Sequence, residues 1–299
     1  MTLADSIRRA AADLGLDACG FCARTDDQAL AGRLAEAGPV PFAPPAAERL
    51  SWDAVLPGAA SAIVCLFPYK PAEEENGNIA LYARPEDYHR VNRRYLLRLE
   101  ERIAPLCPDA RFAAITDTSP LADRWLAWRA GLGFFGTNRC LIHPKYGSLF
   151  TIGALLTTVE LPPDAPMKGS CGNCGRCIEA CPGHALRQDR FHPWTCRSYL
   201  TQKKEPLTEE EEAILRRTAL LFGCDECQRV CPWNRRAAPS PLPETAVHRV
   251  ASLSAEELDA LSVRAFERKY KAYAFAWRGK KILARNLSIL EKDNDQSGQ

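Results

Sequence analysis

Two hydrophobic periods run through the first half of this chain. Residues 3–14 repeat apolar side chains along one helical stripe and predict an amphipathic helix. The stretch EDYHRVNRRYLLRLEERIAPL does so more strongly. Tyr88, Val91, Tyr95, Leu99 and Ile103 share one face, and Arg90, Arg94, Arg98 and Arg102 share another. By contrast, SAIVCLFPY (Ser61–Tyr69) is a continuous apolar run ended by proline and RFAAITD (Arg111–Asp117) is a shorter one, so both predict strands. Their alternation over residues 1–165 predicts an α/β layer domain. The segment GPVPFAPP (Gly38–Pro45) reads as a loop and LPPDAPMKG (Leu161–Gly169) as a linker. A cysteine-rich domain over 166–243 follows, and then a basic helical segment over 244–299. Within that segment, 252–290 read as two or three helices and the last eight residues as a frayed tail.

Composition changes this picture only locally. With 299 residues and 46% apolar content the chain can bury a sizeable core. A net charge of +2 makes no global demand for a nucleic-acid or membrane partner. The charge is concentrated instead: Arg264 to Arg285 holds eight Lys or Arg against the single acid Glu267, with Tyr270, Tyr273 and Trp277 interleaved. That pattern fits either a nucleic-acid contact or a solvated helix whose rings face inward. No apolar stretch resembles a signal peptide or approaches the roughly 18 residues of a membrane span, which leads us to expect a soluble cytoplasmic protein.

The 13 cysteines carry the candidate chemistry. CGNCGRCIEACP supplies Cys171, Cys174, Cys177 and Cys181 in the three-plus-one spacing of a double iron–sulfur site, where the fourth cysteine serves the neighbouring cube. GCDECQRVCP adds Cys224, Cys227 and Cys231. Two 4Fe–4S cubes need one more thiolate, and Cys196 is the cysteine lying between the runs. The expected sets are Cys171, Cys174, Cys177 and Cys231 on one cube, and Cys181, Cys196, Cys224 and Cys227 on the other. Zinc sites use pairs of cysteines rather than this spacing. Cys19 and Cys22 form a further C-x-x-C, read as small buried residues in an apolar passage. His89 reads as a packed or capping histidine at a helix start, because Asn92 stands where a cobalt-ligating Asp-x-His-x-x-Gly signature needs glycine. No Walker loop, G-x-G-x-x-G or c-type haem motif is present.

Taken in order, DYHRVNRRYLLRLEERI, ITDTSPLADRWLAWRAGLGFFGTNRCLI, YGSLFTIG, CGNCGRCIEACPGHAL, CRSYLTQKK and GCDECQRVCPWN resemble the epoxyqueuosine reductases over about residues 48–290. The resemblance implies an N-terminal α/β cobalamin-binding domain, a ferredoxin-like double 4Fe–4S domain, and reduction of epoxyqueuosine to queuosine at the wobble position of tRNA. Electrons would arrive from an external low-potential donor. Asp117 matches the family's proton donor, although by itself it is an ordinary helix N-cap; burial beside an apolar corrin would favour its protonated form. By the same matching, Arg49, Asn138, Leu141 and Ile152 line the corrin, Ser198, Asp225 and Glu226 approach it from the cluster side, and Lys203 and Lys204 lie near the anticodon loop. Thr137 and Arg139 depart from the family's pattern, as does the stretch AGPVPFAPPAAERL. Two other readings compete: a cobalamin and iron–sulfur reductase of a small molecule, similar to reductive dehalogenases, and a non-catalytic electron-transfer protein.

Overall fold

In the computed structural model, which describes residues 2–73 and 75–296, the chain begins with helices packed on both faces of a four-stranded sheet. The elements are α1 (Leu3–Ala12), β1 (Cys19–Ala23), α2 (Gln28–Ala37), β2 (Ser61–Pro68), α3 (Tyr88–Ile103), β3 (Phe112–Thr116) and α4 (Asp123–Arg129). A short hairpin, β4 (Phe134–Phe135) with β5 (Leu141–Ile142), precedes β6 (Phe150–Thr157). The sheet order is β1-β2-β6-β3 and every pairing is antiparallel. The fold is therefore α+β, the antiparallel form of the mixed class that the alternating patterns predict.

Strand β2 is apolar throughout because both of its faces are covered. Ala62, Val64 and Leu66 point into one core with Leu126, Ala127 and Ile152, whereas Ile63, Cys65 and Phe67 meet Ile7, Val91, Leu96 and Leu99 of α1 and α3 on the other. Each such side chain, fully buried, contributes roughly 1.5–3 kcal/mol. Cys19 pairs across the ladder with Cys65, and Cys22 falls in the opposite core, so the C-x-x-C is split between two faces. It is not a dithiol.

Helix α3 starts where Asp87 accepts the backbone N–H of His89, and its buried stripe is Val91, Asn92, Tyr95, Leu96, Leu99 and Ile103. Strand β3 ends at Thr116, which pairs with Gly153 in the centre of the sheet, so the following residue, Asp117, emerges at its rim.

The cysteine-rich region is built from short helices: α5 (Arg176–Glu179), α6 (Arg197–Leu200), α7 (Glu209–Arg216), α8 (Glu226–Arg229) and α9 (Pro232–Arg235). Buried Arg197 ties this region together, donating to the carbonyls of Leu215, Thr218, Leu220 and Gly223. Gly223, just before Cys224, has φ +72 and packs so closely on Ala80 that an added Cβ would stand 2.6 Å from the alanine Cβ. Only glycine fits there.

Helices α10 (Ala255–Asp259), α11 (Val263–Tyr270) and α12 (Lys280–Gln296) complete the chain. The tail expected from residue 292 is helical to 296, and 297–299 lie outside the described residues. Leu258, Phe266, Tyr270, Phe275 and Leu283 share a core with Ile79 and Ala83 and with Leu221 and Phe222, so three remote segments form one hydrophobic cluster. Among the described residues, no helix is long and apolar enough to cross a membrane.

Candidate active site

The structure brings the cysteines of the two runs into two neighbourhoods. Burial raises the pKa of the Cys177 thiol, and the other thiols that push it up are Cys171, Cys174 and Cys231. Burial likewise raises Cys227 strongly, with Cys140, Cys224, Cys196 and Cys181 around it. Cys231, from the second run, thus joins the first run's group, and Cys181 joins the second.

Among the described residues no three His, Cys, Asp or Glu side chains converge on a single-ion position. Sulfur-directed donors are already in place. Thr137 N–H points at Cys171 Sγ over 3.4 Å and Ala185 N–H at Cys181 Sγ over 3.2 Å. Cys174 is exposed, whereas burial holds the second set's Cys224 up at about 12. Cys140 is a further thiol near both sets, pushed up to about 11 by burial.

A chain of contacts leads from the second set to the sheet rim. Cys196 is the N-cap residue of α6, and the side chain of Ser198 in that helix lies beside the hydroxyl of Tyr82. The Tyr82 ring lies 6.2 Å from that of Tyr88, whose hydroxyl donates to Asp117 Oδ2 over 2.5 Å. Asp117 itself sits at φ +31, in the strained left-handed region, and its side chain is 56% exposed.

Electrostatics at this rim differ from the simple expectation for a buried acid. His89 Nε2 lies 3.3 Å from Asp117 Oδ2, and its Nδ1 lies 2.7 Å from Asp87 Oδ1. The hydrogen bond from His89, opposed by burial and reinforced by Tyr88, holds the Asp117 carboxyl below the usual carboxylate range. Burial disfavours the His89 cation, but its bonds to Asp117 and Asp87 outweigh that and lift it to about 9. At neutral pH the pair therefore carries its proton on the imidazole. The capping role expected of His89 belongs to Asp87, which also orients the ring. Tyr82, Tyr88 and the relay role of His89 escaped the sequence reading; the Asp-Tyr-His triplet at the start of a strong helix was the available signal.

The other predicted positions separate into groups. Asn138, Leu141 and Ile152 are buried beside the sheet, and Asp225 is buried with Oδ2 accepting Leu81 N–H over 2.5 Å. Asn138 Nδ2 and Asp225 Oδ1 are buried without a protein partner, and burial lifts Asp225 to about 6. Such orphaned polar atoms, one donor and one acceptor, suit a large guest rimmed with amides. Glu226 is held by Arg229 at 2.6 Å. Arg49, whose charge is disfavoured by burial and by Arg124, lines a cavity of about 800 Å³ with Arg24, Trp52, Trp125 and Arg129.

Of the two candidate RNA-contacting lysines, Lys203 is half-buried with both Glu211 oxygens 2.7 Å from its Nζ, and Lys204 is exposed. In the basic segment, Tyr270 is core and Tyr273 donates to His248 O, so these rings face inward; Trp277 is 52% exposed. Arg285 donates to the carbonyls of Leu200, Lys203 and Glu205, and Lys269 pairs with Glu257. Most of that stripe serves structure.

Residues 49–118 match the family model described as "Epoxyqueuosine reductase QueG, DUF1730", and residues 170–234 match "4Fe-4S double cluster binding domain". An epoxyqueuosine reductase of Listeria monocytogenes is 33% identical over 93% of this chain and 77% of its own length, and one of Bacillus cereus is 33% identical over 92% and 76%. The solved structure of epoxyqueuosine reductase from Streptococcus thermophilus superposes with a TM-score of 0.85 at 29% identity, covering 97% of this chain and 81% of that one. A crystal structure of epoxyqueuosine reductase with an epoxyqueuosine-modified tRNA-Tyr stem loop gives 0.85 at 30% identity, covering 96% and 80%.

Proposed function

This chain belongs to the epoxyqueuosine reductase family, and from that premise we infer that it reduces epoxyqueuosine to queuosine at the wobble position of tRNA, using two 4Fe–4S clusters and cobalamin. The observation that carries this reading is the nearness of the second cysteine set to Asp117. The Ser198 N–H faces Cys196, the Ser198 side chain lies beside Tyr82, and the Tyr82 ring meets that of Tyr88, whose hydroxyl donates to Asp117. The cofactors supply the two electrons and the reactive metal, and this chain supplies alignment and protons.

Converting an epoxide to an alkene takes two electrons and two protons, and the oxygen leaves as water. Charge develops on that oxygen as its carbon bonds break, so a proton must reach it from one fixed side. Asp117 Oδ2 is the delivering atom in this account. Tyr88 fixes its position, and His89 Nε2 hands its single proton to Oδ2, which delivers that same proton to the departing oxygen; the second proton of the water comes from solvent. Asp87 compensates the imidazolium until then and orients the ring. This reservoir makes a permanently protonated Asp117 unnecessary.

Asn138 Nδ2 and Asp225 Oδ1 hold the corrin's amide rim in this reading, with Leu141 and Ile152 against its apolar face and Ser198 and Glu226 on the cluster side. Arg49 is assigned to the same rim by the family's motif alone, since the cavity it lines includes none of these residues. Exposed Cys174 marks the face at which an external low-potential donor docks. Lys204 supports the RNA backbone; Lys203 acts by positioning through Glu211.

The test is an anaerobic assay of the reconstituted enzyme with epoxyqueuosine-containing tRNA and a low-potential reductant. Release of queuosine after nuclease digestion is expected. Conversion of a small halogenated aromatic with no change in the tRNA would instead support the small-molecule reading.

A further inference from the structure

Four aromatic rings from three separate stretches of the chain meet at the surface. Phe42, on the loop between α2 and Arg49, has φ +63, and its ring centroid lies 5.3 Å from that of Tyr199 and 5.5 Å from that of Trp277. Trp194 meets Tyr199 edge-on at 5.5 Å. The Arg278 guanidinium covers this group, 3.6 Å from the Trp277 ring centre and 4.7 Å from that of Phe42.

A packing role alone does not account for this group. Phe42 is 53% exposed and Trp194 and Trp277 are each 52% exposed, so three large rings face water although their neighbours could have been aliphatic or polar. Trp277 is nevertheless held in place, its indole N–H donating to Gln202 Oε1 over 2.8 Å. Arg278 Nε is buried with no partner. The group is ordered, aromatic and cationic at its centre.

Its location is fixed by covalent and hydrogen-bonded neighbours. Tyr199 follows Ser198, whose side chain lies beside Tyr82, and Tyr82 adjoins Tyr88 and hence Asp117. The rings thus connect through neighbouring side chains to Asp117, and exposed Lys204 lies two residues beyond Gln202, the partner of Trp277.

We propose that Phe42, Tyr199, Trp277 and Arg278 form a stacking platform for an unpaired nucleobase adjacent to the reacting nucleotide. Unstacked bases in RNA loops bind by stacking on aromatic rings and guanidinium planes, and the adjoining phosphate is met by lysine. A membrane surface would need a broader cationic field than a chain of net charge +2 with one exposed lysine here provides. The proposal rests on the tRNA substrate inferred above. It adds the subsite that holds the loop open while one base enters the cleft.

Two measurements test it together. The first is KM and kcat for an epoxyqueuosine-modified anticodon stem-loop. The second is quenching of tryptophan fluorescence by an unmodified stem-loop and by a fully paired duplex of the same length. Stacking on aromatic side chains is worth enough that Phe42→Ala and Trp277→Ala are each expected to raise KM and the stem-loop Kd about tenfold. The effect should fall on KM rather than kcat, and Phe42→Tyr, which keeps the ring, should restore it. An RNA abasic at the flanking position should bind wild type and Phe42→Ala equally. Unchanged KM and Kd in both alanine variants, or an undiminished Phe42→Ala effect on the abasic RNA, would overturn the platform. If the wild type quenches with the loop and not the duplex yet yields no queuosine, the platform stands and the assigned reaction fails.

Discussion

His89 Nε2 lies 3.3 Å from Asp117 Oδ2, and the imidazole is held at that distance from its far side by Asp87. In the proposed reaction this puts a proton on a neighbour of the carboxylate assigned to deliver it, where a pKa of about 9 keeps it through the neutral range.

Replacing His89 by glutamine should lower kcat about 10²-fold, the low end of what a positioned proton donor contributes, while leaving RNA affinity close to wild type. Steady-state kinetics on the modified stem-loop check it. A kcat within threefold of wild type would remove His89 from the proton path.

The same residue makes stability depend on pH. Because the folded-state pKa of His89 is raised above its ordinary value of 6.5, its contribution is fully present below about 6.5 and lost as pH rises through about 9. Asp117 has the opposite sign. Its lowered pKa contributes stability above the ordinary 3.8 that is lost as pH falls further. Denaturant midpoints of wild type should therefore decline between about pH 6.5 and 9, and those of His89→Gln should decline less. Parallel curves would contradict the coupling.

Asp117→Asn keeps the shape of the side chain and removes its charge and acidity. It should reduce turnover by about 10²–10⁴-fold. It should also lower the His89 pKa, because Asp117 is among the groups that raise it, and this is measurable by NMR titration of the imidazole. Iron content should stay at that of the parent protein.

Exchange of ligands between the two cysteine runs has a direct signature. Cys231→Ser should abolish the same cluster spectrum as Cys171→Ser, although Cys231 lies in the other run, whereas Cys196→Ser should abolish the second. Electron paramagnetic resonance of the reduced protein distinguishes the two. If Cys231→Ser resembled Cys224→Ser instead, the assignment would be wrong.

These relationships differ in how far the sequence disclosed them. The double-cluster domain was legible because cube geometry fixes the spacing of its cysteine runs, and β2 was legible because a strand covered on both faces must be apolar throughout. Strand β6 was seen as a motif rather than a strand, since its neighbours in the sheet are what make Phe150–Thr157 extended. The Asp117 relay needed tertiary knowledge: Tyr88 stands 29 positions away, and only the turn at the end of β3 brings the carboxyl over the start of α3. Likewise the interleaved rings of the basic segment could not be sorted by periodicity. Tyr270 turned inward because Phe266 and Phe275 needed a partner, and Trp277 stayed outside beside a phenylalanine from the other end of the chain.

Arg197 offers a test of the cluster domain's own stability. Changing it to methionine removes donors from four backbone carbonyls at once, and with unsatisfied groups costing about 1–3 kcal/mol each, the loss should be on the order of 4 kcal/mol. Urea unfolding under anaerobic conditions measures it. A change below about 1 kcal/mol would mean that water replaces the guanidinium without cost.

The central claim is that one polypeptide couples cluster-borne electrons to a proton relay at Asp117 in order to deoxygenate a wobble base. Its most direct measurement is the yield of queuosine from epoxyqueuosine-containing tRNA by protein reconstituted with iron, sulfide and cobalamin, supplied with a low-potential reductant and compared with Asp117→Asn. The account predicts near-complete conversion by the wild type and at least about a 10²-fold slower rate in the variant. Fully reconstituted wild-type protein that leaves the epoxide intact, or a variant that converts it equally fast, would contradict it.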